Sequence, residues 1–299
     1  MRFRSLSYLL MGSVRANMSL ARHGTGTAAS ARALASQIHP VFMLPPVASS
    51  LFGAALAGEF AVSLALLHAG SAFFALYTAH VKDGYVDFFG REEDDDHPLT
   101  ARGCRTAMAL STTAFAACLL AIGVLVGPVA AAVTLPGWLI GYFHAPQLDT
   151  NPIGATMGYP AGIALAAVGG YYVQAEALSA TVLGFAAVFL TILSGIKVID
   201  DAKDYDYDRS IDKRTVAVVL GVERARTAAF GLMAAGLLAV LALSLGGVFP
   251  LGAALATAPF AAVAGFARRS EPKLATMLLI RGSYLFLAVL VAVVWLEPL

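Results

Sequence analysis

The chain has few charges and few cysteines. Only 13% of its 299 residues are charged and only two are cysteine, whereas about a quarter of the residues are charged in a typical soluble domain. Two cysteines exclude a disulfide framework and a cysteine-rich metal site. The sequence also lacks a basic tract with interleaved aromatic residues, so no nucleic-acid partner is expected.

Long apolar segments account for the missing charge. Hydrophobic residues make up 59% of the chain and the mean hydropathy is +0.75, which is typical of a polytopic membrane protein. A membrane helix needs roughly 20 apolar residues. We therefore predict an all-α fold of nine transmembrane helices around a central cavity, at about 39–57, 60–81, 104–126, 128–146, 153–175, 179–200, 225–246, 248–267 and 276–296.

The basic residues predict the orientation of the chain in the membrane. With nine spans, the N-terminus and the loops after spans 2, 4, 6 and 8 share one side, and all 20 Lys and Arg residues lie there or in adjoining helix ends. The positive-inside rule makes that side cytoplasmic. We expect a multi-pass protein of the cell membrane with a cytoplasmic N-terminus.

The chain divides at about residue 37. Residues 1–37 contain five arginines and no acidic residue, as expected for a flexible basic arm beside anionic lipid. Residues 38–299 form the predicted membrane domain. Its two acidic stretches follow spans 2 and 6, which indicates an internal repeat of about four helices with a ninth helix appended.

The acidic residues are concentrated in two predicted cytoplasmic loops, since 13 of the 19 lie in residues 83–96 and 200–212. Asp200, Asp204 and Asp208 are four residues apart and would form one stripe on a helix, and Asp83 and Asp87 repeat this spacing. Mg²⁺ offsets such repulsion and is commonly held by a few carboxylates, phosphate oxygens and water. The ordinary interpretation of an acidic loop is a solvated surface. The helical spacing, its repetition and the neighbouring Lys and Arg residues favour a diphosphate site instead.

These residues resemble those of the UbiA-type superfamily of intramembrane prenyltransferases, over about residues 38–299. The family has nine helices and two motifs, roughly N-x-x-x-D-x-x-x-D after helix 2 and D-x-x-x-D-x-x-x-D after helix 6. The second motif is matched in full and is followed by DKRTVAVVLG. In the first motif, Asp87 takes the central position and Asp83 stands where Asn is usual. Residues 95–99, DDHPL, are similar to the D-D-R-P-L ending of the family motif.

The resemblance implies Mg²⁺-dependent transfer of a polyprenyl group from a polyprenyl diphosphate to an aromatic or lipid-like acceptor. The expected metal ligands, which are also the catalytic carboxylates, are Asp83, Asp87, Asp200, Asp204 and Asp208. Lys213 is expected to be catalytic, as a clamp on the departing diphosphate. The expected substrate-binding residues are Arg102, Lys203, Asp95, Asp96 and Tyr142, and the apolar walls that exclude water are expected to include Phe42, Phe88 and Tyr159.

One further stretch bears on the acceptor. The G-x-Y-Y-x-Q run at 169–174 is similar to that of dihydroxynaphthoate prenyltransferases, which make menaquinone precursors. An interfacial aromatic belt is the alternative explanation, because the run is predicted on the membrane face opposite the Asp motifs. Hydroxybenzoate-like, glyceryl phosphate, carotenoid and haem acceptors also stay open.

Two other classes of membrane protein use embedded acidic residues. The CDP-alcohol phosphotransferases carry D-G-x-x-A-R, and Asp83-Gly84 begins that pattern, but no Ala-Arg follows at the required distance. A secondary transporter places its acidic residues near the bilayer midplane, whereas here they lie at predicted helix ends. Binding of a prenyl diphosphate that depends on Mg²⁺ would distinguish the enzyme from a transporter.

The predicted topology can be tested with reporter fusions. Alkaline phosphatase fused after Leu299 is expected to be active, because nine crossings from a cytoplasmic N-terminus end on the opposite side of the membrane. The same reporter inserted after Arg269, in the loop that follows span 8, should be inactive. The reverse pattern would remove the basis for a cytoplasmic site.

Overall fold

A computed structural model describes residues 19–296 of the protein. Within this range the chain is helical, and its β structure is confined to one isolated antiparallel bridge between Ala21 and Leu99. The α-helices are α1 (Thr27–Ala35), α2 (Pro40–Leu56), α3 (Val62–Phe89), α4 (Ala101–Leu125), α5 (Pro128–Phe143), α6 (Pro152–Ala175), α7 (Ala180–Lys203), α8 (Tyr205–Ser210), α9 (Val216–Leu220), α10 (Val222–Leu245), α11 (Thr257–Arg268) and α12 (Pro272–Leu296). A π-helical turn, His144–Leu148, follows α5, and a 3-10 helix, Leu251–Ala256, precedes α11.

Helices α2–α7 and α10–α12 coincide with the predicted apolar segments, although several boundaries differ. Seven helical segments in the described range are long and apolar enough to cross a membrane, or eight if α1 and α2, which are bent by 67°, form one span. Helix α5 has only 16 residues. The prediction of an all-α chain with many membrane helices is confirmed, whereas the nine crossings and their orientation stay predictions.

Polar residues fix where three of these helices begin. The Thr100 hydroxyl accepts a hydrogen bond from the Gly103 amide at the start of α4. The side chains of Asn151 and Ser179 cap α6 and α7 in the same way. Such caps satisfy amide groups that have no partner within the helix.

The helices pack in a ring around an interior cavity. Helix α2 packs against α3 and α6, α7 packs against α6 and α10, and α12 closes the ring against α2 and α7. The largest hydrophobic core lies on the α7 side of this ring and includes Phe52, Phe185 and Phe249. The rings of Phe185 and Phe249 are stacked with their centroids 3.8 Å apart.

The described part of the N-terminal arm crosses the start of α4. The Thr100 hydroxyl donates to the Ser19 carbonyl at 2.8 Å, and the Thr100 amide donates to the Leu20 carbonyl at 2.9 Å. A Cβ on Gly103 would lie only 2.1 Å from the Leu20 carbonyl oxygen, so glycine permits this crossing. Residues 1–18 lie outside the described residues, so the flexible arm and the boundary at residue 37 stay predictions, as does the internal repeat.

Small residues let α2 and α6 approach closely. A Cβ on Gly53 would lie 1.9 Å from the Ala167 carbonyl oxygen, and one on Gly170 would lie 2.0 Å from that of Ser50. Close backbone contact between small residues is a principal source of association between membrane helices. This contact joins two of the helices that form the wall of the cavity.

Replacement of Gly53 should therefore destabilise the bundle. Gly53→Ala is expected to lower the free energy of unfolding by about 1–3 kcal/mol, because the new methyl group overlaps backbone atoms that cannot move independently. Gly231→Ala is the matched control, since nothing lies within 4 Å of a Cβ at that position of α10. Thermal unfolding in detergent measures both variants, and equal Tm values would contradict the close approach.

Candidate functional site

A cavity of about 360 Å³ lies inside the bundle. Its lining comes from α2–α7, α12 and the turn after α5, and most of it is apolar. Most ionisable side chains of the lining lie at or near the end of the bundle where α3 and α7 finish, and the exception is His68, near the start of α3. Those at that end include Asp83, Lys197 and Asp200, together with His80 and His144.

The first acidic motif lies on a helix. Helix α3 continues to Phe89, eight residues beyond the predicted span, so Asp83 and Asp87 occupy its last two turns on one face. Asp83 lines the cavity. Asp87 instead forms an ion pair of 3.4 Å with Arg91. The structure thus brings one of the two predicted carboxylates into the cavity wall.

The second acidic motif is not one helical stripe, and that prediction was wrong. Helix α7 ends at Lys203, Asp204 has non-helical dihedral angles (φ −104°, ψ 16°), and Asp208 lies in the separate helix α8. Aspartate is a poor helix former because its side chain competes for backbone hydrogen bonds. Repulsion between carboxylates on one helical face adds to this effect. Asp200 therefore lines the cavity, whereas Asp204 is exposed and Asp208 is buried elsewhere.

Lysines compensate the carboxylates of the second motif. Lys197 forms ion pairs with Asp200, at 3.6 Å, and with Asp201. Lys203 forms ion pairs with Asp200 at 2.6 Å and with Asp204 at 3.4 Å. Asp201 was not predicted as a site residue, and neither was its pairing with Lys197, although their spacing of four is the ordinary signal of an ion pair on a helix.

Arg91 joins the first motif to the turn after α5. Its guanidinium lies 2.7 Å from Asp149, 3.4 Å from Asp87 and 3.7 Å from Glu93. Asp149 is only 2% exposed, and a buried carboxylate requires such a partner. Asp149 was not predicted as a site residue. The sequence feature that could have indicated its importance is that it is a single acidic residue just after an apolar segment.

Lys213 interacts with both motifs. Its charge acts on Asp87 from the first motif and on Asp208 from the second. Burial raises the pKa of Asp208 to about 6, and the positive charge of Lys213 opposes this shift. The predicted clamp residue therefore lies within electrostatic range of carboxylates from both motifs, in the loop that follows α8.

Several predicted substrate-binding residues do not line the cavity. Arg102 and Asp95 are exposed. Asp96 contacts His23 of the N-terminal arm at 2.8 Å, and Tyr142 stacks on Trp138 with ring centroids 5.0 Å apart. Of the predicted wall residues, Phe42 and Tyr159 line the cavity, whereas Phe88 lies outside it beneath the guanidinium of Arg22. The binding roles of these residues stay predictions.

The donor atoms of the cavity fit a hard cation such as Mg²⁺. Across residues 19–296, no three His, Cys, Asp or Glu side chains are close enough to share a metal ion, so the five predicted ligands do not form one cluster. Mg²⁺ does not need such a cluster, because one or two carboxylates suffice when substrate phosphates and water complete the octahedron. Asp83 and Asp200, which line the same cavity, supply oxygen ligands of that kind.

Comparison with known protein families agrees with the resemblance seen in the sequence. The profile of the UbiA prenyltransferase family matches residues 43–290. No curated protein sequence gives a significant match.

The fold is also similar to solved structures. A UbiA homolog from Aeropyrum pernix K1 aligns with a TM-score of 0.72 at 16% identity, over 85% of this chain and 98% of that one. A digeranylgeranylglyceryl phosphate synthase aligns with a TM-score of 0.65 at 14% identity, over 84% and 92%. A UbiA homolog from Archaeoglobus fulgidus, solved with GPP and Mg²⁺, aligns with a TM-score of 0.63 at 17% identity, over 89% and 99%. At these identities the likeness shows the fold.

The pair between Arg91 and Asp149 gives a stability prediction. Arg91→Gln is expected to lower the free energy of unfolding by about 3 kcal/mol or more, because it leaves the Asp149 carboxylate buried without a partner. The added change Asp149→Asn removes that charge and should restore most of the loss. Arg105→Gln, at an exposed arginine, is the control, and chemical denaturation measures all four proteins. Failure of the double variant to recover would contradict the pairing.

Proposed function

This chain belongs to the UbiA prenyltransferase family, and from that premise we propose that it transfers a polyprenyl group from a polyprenyl diphosphate to an electron-rich aromatic acceptor. The single observation that supports the proposal most is the cavity. One acidic residue from each motif, Asp83 and Asp200, lies in the same lining as Lys197, and most of the remaining wall is apolar. A diphosphate headgroup and an isoprenoid tail require these two kinds of surface side by side.

Different residues of the site would have different roles in the reaction. Lys197, and Lys213 in the adjoining loop, are placed to meet the charge that develops on diphosphate as the bond between C1 and oxygen breaks. The apolar wall, which includes Phe42 and Tyr159, keeps water away from the allylic cation. The faces of Tyr159 and Trp138 can also stabilise that cation through the ring quadrupole.

Asp83 and Asp200 would hold Mg²⁺. When bound, the ion neutralises the diphosphate oxygens and so makes diphosphate a better leaving group. The ion pairs that Asp200 makes with Lys197 and Lys203 fix this carboxylate at the cavity wall. Asp87 does not line the cavity and instead forms an ion pair with Arg91.

We propose dihydroxynaphthoate as the acceptor to be tested first. An aromatic carbon of this ring would attack C1 of the prenyl group, diphosphate would leave, and the ring would lose its carboxyl group as CO₂. The G-x-Y-Y-x-Q run that suggested this acceptor lies away from the carboxylates. Gln174 exchanges two hydrogen bonds with the backbone of Ala61 and so joins α6 to the start of α3. Support for the acceptor thus comes from the resemblance and not from contacts in the cavity.

The acceptor can be identified with a direct assay. Membranes containing the full chain are incubated with Mg²⁺, radiolabelled geranyl or geranylgeranyl diphosphate and one acceptor at a time. The panel consists of dihydroxynaphthoate, hydroxybenzoate and a glyceryl phosphate lipid precursor. Extraction and chromatography then detect a prenylated product. A product with dihydroxynaphthoate alone supports the proposal, and a product with another acceptor replaces that part of it.

If the second motif binds the metal, substitution of two of its aspartates should affect turnover very differently. Asp200→Asn should lower turnover by about 10²-fold or more, because it removes a carboxylate that would hold the Mg²⁺ that neutralises the leaving diphosphate. Asp206→Asn is the matched control, since Asp206 is exposed on α8, and it should keep nearly full activity. Similar activities in the two variants, at equal amounts of folded protein, would overturn this placement of the diphosphate.

A further inference from the structure

The docked segment of the N-terminal arm, residues 19–23, lies against the loop that follows the first motif. Ala21 and Leu99 form the antiparallel bridge, and both are almost completely buried. The Arg22 amide donates to the Pro98 carbonyl at 2.9 Å. The docked segment is therefore attached to this loop by backbone hydrogen bonds as well as by packing.

Side chains of the docked segment reinforce this attachment. The Arg22 guanidinium lies over the Phe88 ring, 4.4 Å from its centroid. Nε2 of His23 lies 2.9 Å and 2.8 Å from the two carboxylate oxygens of Asp96. Because Phe88 belongs to the last turn of α3, the docked segment contacts both the end of that helix and the loop after it.

His97 connects this loop to the first motif. It is 4% exposed and does not line the cavity. The Leu99 amide donates to its Nδ1 at 3.1 Å. At the other edge of the ring, a Cβ on Gly84 would lie only 2.9 Å from Nε2. The imidazole thus packs on the backbone of α3 at the residue next to Asp83.

These contacts form one continuous series from the arm to the cavity. Residues 19–23 hold the loop, the Leu99 amide orients the ring of His97, and the ring abuts Gly84. Asp83, the adjacent residue, is the carboxylate of the first motif that lines the cavity. With no side chain on Gly84 between the ring and the helix, a displacement of His97 changes the packing of the backbone beside Asp83.

We propose that His97 is a positioning residue for Asp83 and that the docked segment keeps His97 in place, so that docking of the arm supports binding of the prenyl diphosphate with Mg²⁺. This inference rests on the proposed function. Neither His97 nor residues 19–23 line the cavity, so both act through Asp83. Groups that orient a metal ligand in this way typically contribute about 10- to 100-fold to affinity or activity.

Gly103→Ala tests the role of the arm in the full chain. The three heavy atoms nearest to a Cβ at this position all belong to Leu20, the closest at 2.1 Å, so the new methyl group should displace the docked segment without overlapping another helix. The affinity for radiolabelled geranyl or geranylgeranyl diphosphate with Mg²⁺, measured without acceptor, should fall about 10-fold. Gly123→Ala is the matched control on α4, because a Cβ there meets only Ala131, at 3.5 Å.

Displacement of the arm is measured separately from binding. Trypsin can cleave after Arg22 only when the backbone there opens and leaves its hydrogen bond to Pro98, so the cleavage rate reports local opening. Mass spectrometry detects the new N-terminus at His23. Gly103→Ala should raise the rate severalfold, and Gly123→Ala should leave it unchanged.

Substitution of His97 tests the inner part of the series. His97→Asn keeps an oxygen that can accept from the Leu99 amide but withdraws the ring from Gly84, so it should also weaken binding of the diphosphate. Gly103→Ala should then have little further effect in the His97→Asn background, whereas independent effects would multiply. Gly84→Ala fills the space left by the ring and should restore part of the affinity in His97→Asn, although it weakens binding when His97 is present.

The outcomes separate the inference from the function on which it rests. Faster cleavage and weaker binding in Gly103→Ala, with no further loss when it is combined with His97→Asn, support the proposal. Unchanged cleavage, faster cleavage with unchanged affinity, or losses that multiply in the double variant overturn it. The dissociation constant reports folded protein alone, so a lower yield does not distort it. If the wild type binds neither diphosphate, the proposed function fails and the positioning role fails with it, whereas the cleavage rates still test the docking of the arm.

Discussion

Polar groups inside an apolar bundle must find their partners within the protein, and this constraint accounts for the main features of the structure. It explains why buried Asp149 lies against Arg91 and why Asp201 lies against Lys197. In α2, the carbonyls of Val41 and Phe42 lose their helical donors to Pro45 and Pro46. They accept hydrogen bonds from Tyr284 and Tyr159 instead. In each case the partner comes from elsewhere in the fold or from the next helical turn, because the membrane offers no solvent in its place.

The same constraint shapes the site. Acidic residues at the ends of α3 and α7 could not converge without compensation, and nearby lysines and Arg91 supply it. The carboxylates of the site still outnumber these cations, so the site carries an excess of negative charge before a ligand arrives. A diphosphate that enters together with a divalent cation meets less repulsion there than an isolated anion would, which is costly in a low-dielectric cavity.

Much of the fold could be predicted from the sequence, because apolar length and turn composition are local properties. The positions of the helices followed from them, and Asp83 and Asp200 lie near the ends of α3 and α7, whereas the two Asp-rich cytoplasmic loops stay a prediction. The break at Asp204 was not predicted, since regular spacing was taken to mean a continuous helix. The contact between Arg91 and Asp149 was not predicted either, because it depends on how separate helices pack. The two prolines indicated which carbonyls lack partners, but only the folded chain reveals that Tyr159 and Tyr284 supply them.

The crossing of the N-terminal arm over α4 has a consequence for biogenesis. The polar contacts of the arm, from Ser19 and Leu20 to Thr100 and from His23 to Asp96, lie within the first 103 residues, as does the close approach to Gly103. The loop that carries the end of the first motif can therefore dock while the ribosome is still synthesising the second half of the protein. Arg91 can pair with Asp149 only after a further 58 residues have been synthesised. The order of the chain thus allows the first motif to be anchored before the second has been synthesised.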